Sequence, residues 1–112
     1  MNLYHITERS QWIKYDPETF YIPANYLADG FIHCSTIDQV LTVAEKYYAD
    51  VPNLLLLKID EKMVSAAIVF ENLEGGEEKF PHIYGHLEKK AIVGIVAFEK
   101  DSLGNFYLPE FT

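Results

Sequence analysis

The sequence predicts an α+β domain with a mostly antiparallel sheet, and three observations carry that reading. Short segments with strand alternation or buried-strand character recur along the chain, among them "NLYHIT", "GFIHCS", "NLLLLKID", "AIVFEN" and "AIVGIVAFEK". One stretch, from Thr36 to Tyr48, has helical period instead. The resulting order, β-α-β-α-β-β-β, is not the regular alternation that builds a parallel sheet.

Taken in order, residues 2 to 7 alternate and favour a short first strand. "TERSQWIKY" follows with Thr7 as an N-cap candidate and Trp12 and Tyr15 three apart, the spacing of a short helix face. Asp16-Pro17 ends that helix, and Pro23 interrupts the aromatic stretch after it, so an irregular connection is expected with one helical turn at 24 to 28. In "DGFIHCST" a glycine turn introduces a second strand, whose alternation sets Phe31, His33 and Ser35 on one face and Ile32 and Cys34 on the other.

From Thr36, a second N-cap candidate, the residues Ile37, Val40, Leu41, Val43, Ala44, Tyr47 and Tyr48 form one apolar helical stripe. "NLLLLKID" reads as a central strand buried on both faces and "EKMVSA" as a turn or short helix. "AIVFEN" is a strand before the acidic loop "LEGGEEK". "FPHIYGHL" carries Pro81 and Gly85 around a His-Tyr pair, "AIVGIVAFEK" is the last main strand, and "GNFYLP" is a candidate extended stretch. No repeat or linker divides residues 1–112, which read as one domain.

Composition limits the function. The 112 residues carry a formal charge of -8, which opposes a phosphate backbone and argues against general nucleic-acid binding. Arg9 is the only arginine available for a bidentate grip on a small anion. The single cysteine, Cys34, can make neither an intramolecular disulfide nor a thiolate metal cluster. With no secretory signal pattern and no apolar run approaching a membrane span, a cytoplasmic protein without membrane contact is expected, its oligomeric state open.

The histidines suggest a site. His5 in "LYHIT", His33 in "FIHCS" and His82 in "FPHIY" share an aromatic or proline-flanked context near strand ends, whereas His86 does not belong to that set. Imidazole donates, accepts and shuttles protons near neutral pH, so three of them on one cleft could grip a polar ligand or act as acid and base. A three-histidine metal site is a competing use, but neither HxH nor HExxH spacing occurs, and no metal is expected. A Cys34–histidine nucleophile is another, although His33 alternates away from the thiol, which is expected to be buried and unreactive. The remaining use is a pocket of imidazoles, hydroxyls and rings for a small-molecule or nucleotide ligand.

The segments "YHIT", Trp12, "GFIHCS", "VAEKYY", "LLLLKID", "VFEN" and "FPHIYGHL" together resemble a small bacterial family known as domain of unknown function 952, over nearly the whole chain. That resemblance implies the fold of ADP-ribosyltransferases, a split α+β sheet holding NAD in a cleft, with NAD as a possible substrate. It implies His5, with Thr7, at the ribose on the first strand, and His33, with Ser35, where a tyrosine usually stacks on nicotinamide. In place of the usual late glutamate stand His82, Tyr84 or, upstream, Glu71. The catalytic candidates are therefore His5, His33, His82 and Glu71, and the ligand-binding candidates Thr7, Ser35, Tyr84 and Trp12. Trp12 is a cleft wall in this reading, although a large aromatic at helical spacing is more commonly core. A non-catalytic binding module and histidine acid–base phosphotransfer are the alternatives, and the position of Glu71 discriminates between them and glycosyl transfer.

Overall fold

The computed structural model describes residues 1–12, 20–23 and 26–111. The chain forms β1 (Asn2–Glu8), α1 (Arg9–Trp12), β2 (Phe20–Tyr21), α2 (Tyr26–Asp29), β3 (Ile32–His33) and α3 (Val40–Tyr47). There follow β4 (Leu54–Asp60), a 3-10 turn (Glu61–Met63), β5 (Ala67–Glu71), β6 (Phe80–Tyr84), β7 (Leu87–Glu88), a second 3-10 turn (Lys89–Ala91) and β8 (Ile92–Phe98). Among the described residues the strands make three small antiparallel sheets, ordered β1-β4-β8, β3-β6-β5 and β2-β7. The protein is thus α+β with antiparallel pairing and short helices. A split sheet of the ADP-ribosylation type is a finer assignment than these strand orders carry.

The run of four leucines occupies the centre of its sheet. β4 lies between β1 and β8, and its alternate side chains feed two cores: Leu55, Leu57 and Ile59 one, Leu54 and Leu56 the other. The first core also holds Leu3, Tyr21, Ile32, Cys34, Ile83 and Leu87. The second joins Tyr4, Ile6, Val40, Ala44, Phe98 and Phe106, so α3 covers the opposite face of the sheet. Truncating a fully buried leucine such as Leu56 or Leu57 to alanine would cost about 2–5 kcal/mol.

Several boundaries differ from the sequence reading. Thr7 is no N-cap, because pairing of β1 with β4 continues to Glu8↔Leu54 and keeps Thr7 inside the strand. The expected Trp12–Tyr15 pair and the Asp16-Pro17 break fall partly or wholly outside the described residues, as does the start of the helical turn expected at 24 to 28. The long helix begins at Val40 rather than Thr36. Thr36 contributes its carbonyl, which accepts from Gln39 and Val40, while its backbone N–H donates to the Gln39 side chain at 3.0 Å. Ile37 and Tyr47 are exposed and leave the apolar stripe. The opening motif forms only a two-residue strand, and "GNFYLP" contributes a single bridge, Lys100↔Phe106.

Candidate functional site

Strand register assembles the site. His33 pairs with His82, and directly opposed residues point to the same face, so the two imidazoles stand side by side. Ile32 and Ile83, paired next to them, point the other way and are fully buried in the first core. β5 then adds Glu71, paired with Phe80, to the imidazole face. Gly30, at φ 79°, makes the turn into β3 as its N–H closes α2 onto the Tyr26 carbonyl at 2.7 Å. That turn brings Phe31 onto the same face.

The rings pack as one group. Phe31 stacks on His82 with centroids 4.2 Å apart, and His33 meets His82 edge-on at 5.3 Å. His82 donates from Nδ1 to Glu71 Oε1 at 2.9 Å, leaving Nε2 as an acceptor in the neutral ring. His33 forms the complementary arrangement, donating from Nε2 to Asp29 at 2.9 Å and leaving Nδ1 free to accept. The Tyr84 hydroxyl donates to the same Glu71 oxygen. These bonds hold Glu71 below the usual carboxylate range, the Tyr84 contact first and His82 second, while the same carboxylate raises Tyr84.

A cavity of about 350 Å³ opens beside this group, lined among others by Phe31, His33, Ser35, Glu71, Phe80 and His82. Tyr4 and Ile6 of β1 and Val43, Tyr47 and Tyr48 at α3 close its other side. A backbone bridge joins the two walls, in which Tyr4 and Ser35 exchange hydrogen bonds of 2.8 and 2.7 Å.

Not every sequence candidate reaches it. His5 alternates with Tyr4 and Ile6 and faces the opposite side of β1, so its ring is not part of the lining. It donates from Nδ1 to the His33 carbonyl at 2.5 Å and accepts from the Tyr21 hydroxyl at 2.9 Å, and burial lowers its pKa to about 4. Thr7 is buried on that same side. Trp12 packs on Tyr21 at 5.2 Å, at the edge of the first core. His33, His82, Glu71, Tyr84 and Ser35 therefore come together, and His5, Thr7 and Trp12 stand behind them. Sequence reasoning missed Asp29, although it lies four residues before His33, and the cavity residues Tyr4, Phe80 and Tyr47.

Cys34 is buried in the first core, and that burial raises its thiol pKa. Among the described residues, no group of three or more His, Cys, Asp or Glu is disposed to hold a metal, and no helix is long and apolar enough to cross a membrane.

Residues 6–95 match the family described as "Protein of unknown function (DUF952)". The crystal structure of protein CC0527 from Caulobacter crescentus is similar at a TM-score of 0.81 and 28% identity, covering 96% of this chain and 94% of that one. The solution NMR structure of CC0527 is similar at a TM-score of 0.71 and 28% identity, covering 93% and 90%. No curated protein matches the chain.

Proposed function

The chain belongs to the DUF952 family of proteins of unknown function, and we propose that it processes a small NAD- or nucleotide-derived molecule in the cavity beside His33 and His82. The carrying observation is Glu71, which lines the cavity with its carboxylate held by His82 and Tyr84. Cleavage of an N-glycosidic bond leaves positive charge on the sugar as the electron pair departs with the nitrogen base. A fixed carboxylate stabilises that charge. In this reading the His82 Nε2, left as an acceptor by the Nδ1–Glu71 bond, takes the proton of an attacking water or acceptor hydroxyl. The face of Phe31 offers a stacking surface for a flat base. Two three-stranded antiparallel sheets, joined at the Tyr4–Ser35 bridge with the cavity between them, also support the finer reading of an ADP-ribosyltransferase-like fold.

One observation favours the rival reading of a binding site or histidine acid–base site without glycosyl transfer. His5, which the family resemblance assigns to the ribose, faces away from the cavity.

Incubation with NAD and nucleosides, followed by chromatography for released base, separates the two. Turnover lowered on the order of a hundredfold by Glu71→Gln is expected for the enzyme. Saturable binding with no released base would establish the rival. Neither binding nor turnover with any member of the panel would overturn both.

A further inference from the structure

The cavity has an electrostatic character that selects among ligands. Its described lining contains two carboxylates, Glu71 and Glu74, and neither lysine nor arginine. Five of its side chains are aromatic: Tyr4, Phe31, Tyr47, Tyr48 and Phe80. Glu71 uses Oε1 for both His82 and Tyr84, and among the described residues Oε2 has no hydrogen-bond partner. Aromatic faces and an ionised carboxylate attract an organic cation and repel a phosphate, for which the lining has donors such as Ser35 and Asn72 but no lysine or arginine, and the -8 charge of the chain reinforces that preference.

The chain supplies an internal example at the rim. The Lys46 ammonium lies 5.1 Å from the centroid of the Tyr47 ring and 3.9 Å from Glu74, whose carboxylate also accepts from the Tyr47 hydroxyl. Ring and carboxylate there already seat a cation of the chain's own. Phe31 and Glu71, which line the same cavity and are linked through His82, again set a ring and a carboxylate on one cavity wall, without a lysine or arginine partner among the described residues.

We infer that the moiety this cavity admits is a flat organic cation bearing no phosphate, seated between the aromatic walls and the Glu71 carboxylate. The inference rests on the reading of this cavity as the ligand site. For a dinucleotide it means that only a cationic ring and its sugar enter, with the phosphates left outside. A free phosphate ester is excluded.

Three benzene derivatives of similar size test it: phenyltrimethylammonium, its neutral isostere tert-butylbenzene, and phenyl phosphate. Each is titrated into the whole protein at pH 7.5 while the amide and ring signals of Phe31, His33 and His82 are followed by NMR. The cation is expected to bind about tenfold more tightly than the neutral isostere, with no saturable binding of phenyl phosphate. Glu71→Gln should bring the cation close to the neutral compound and leave the neutral compound unchanged.

A neutral isostere binding as tightly as the cation would overturn the charge preference. Phenyl phosphate binding equally well through the same signals would do so too, and in both cases the cavity would stand as the ligand site. No perturbation of those signals by any of the three would overturn the inference and the site together.

Discussion

Phe31 lies almost flat on His82, with ring centroids 4.2 Å apart and planes 20° from parallel. The same phenyl ring also meets His33 at 4.6 Å and Tyr84 at 5.2 Å, so one apolar side chain fixes the three polar rings around it. A stack of this kind is worth about 0.5–1.5 kcal/mol beyond the area it buries. Its position between two histidine–carboxylate pairs makes it a positioning group for both.

Phe31→Leu keeps most of the buried volume and removes the ring. Stability should fall by about 1 kcal/mol in urea denaturation, and affinity for a cavity ligand by about tenfold. A variant with unchanged affinity would show that the ring serves packing alone.

Tyr84 and Glu71 form the second coupled pair. The Tyr84 hydroxyl is the largest influence holding Glu71 below the usual carboxylate range. Tyr84→Phe removes that donor and should raise the Glu71 pKa. If activity needs the carboxylate ionised, the acid limb of the pH–rate profile moves to higher pH in the variant, with the plateau near neutrality retained. An acid limb that does not move would dissociate Tyr84 from the carboxylate that acts. The variant's NMR titration of Glu71 reads the same shift without a substrate.

Much of this site was legible in single segments. Alternation in "GFIHCS" gave Phe31, His33 and Ser35 a common face, and Ile32 and Cys34 do enter the core. Four leucines in a row announced a strand buried on both sides. His5 was harder, because alternation separates it from Tyr4 and Ile6 but does not say which face of β1 the cavity will occupy. That choice is made by α3 docking on the Tyr4–Ile6 side, a long-range event. Likewise, Thr7 has good capping chemistry, yet the ladder with β4 carries β1 past it to Glu8, a tertiary override of local preference. The two-residue strand Phe20–Tyr21 has too little pattern to be seen before its partner, Leu87–Glu88, is known.

Cys34 offers a test of the core face. The thiol is buried among Ile32, Leu55 and Ile83, and desolvation disfavours its thiolate. Labelling of the folded protein by a disulfide reagent at pH 8 should be slower than that of a free thiol by a factor on the order of a thousand or more, following the population of open states. Addition of urea through the unfolding transition should restore ordinary rates. Prompt labelling in buffer would show that the thiol is reached through the cavity, whose lining includes Cys34, rather than sealed within the first core.

His5 gives the last prediction, and its sign follows from burial. In the folded protein its pKa lies at about 4, against 6.5 for the free side chain, because the buried ring resists charge. Nδ1 already donates to the His33 carbonyl and Nε2 accepts from Tyr21, so a second ring proton would also force the Tyr21 hydroxyl to turn from donor to acceptor. Between those two values the unfolded chain binds a proton that the folded chain refuses, and stability therefore rises with pH across this window. Lowering the pH from 7 to 4 should remove roughly 3 kcal/mol through this group alone. The carboxylates of the chain titrate partly in the same range, so the difference between proteins is the proper measure. His5→Gln replaces the ring with a side chain that is neutral throughout. Its stability at pH 7 should be lower than that of the parent, and its loss between pH 6.5 and 4 should be smaller by about that amount. Parallel stability–pH curves for the two proteins would mean that His5 takes up its proton as readily in the fold as in the unfolded chain, and its place behind the cavity would have to be redrawn.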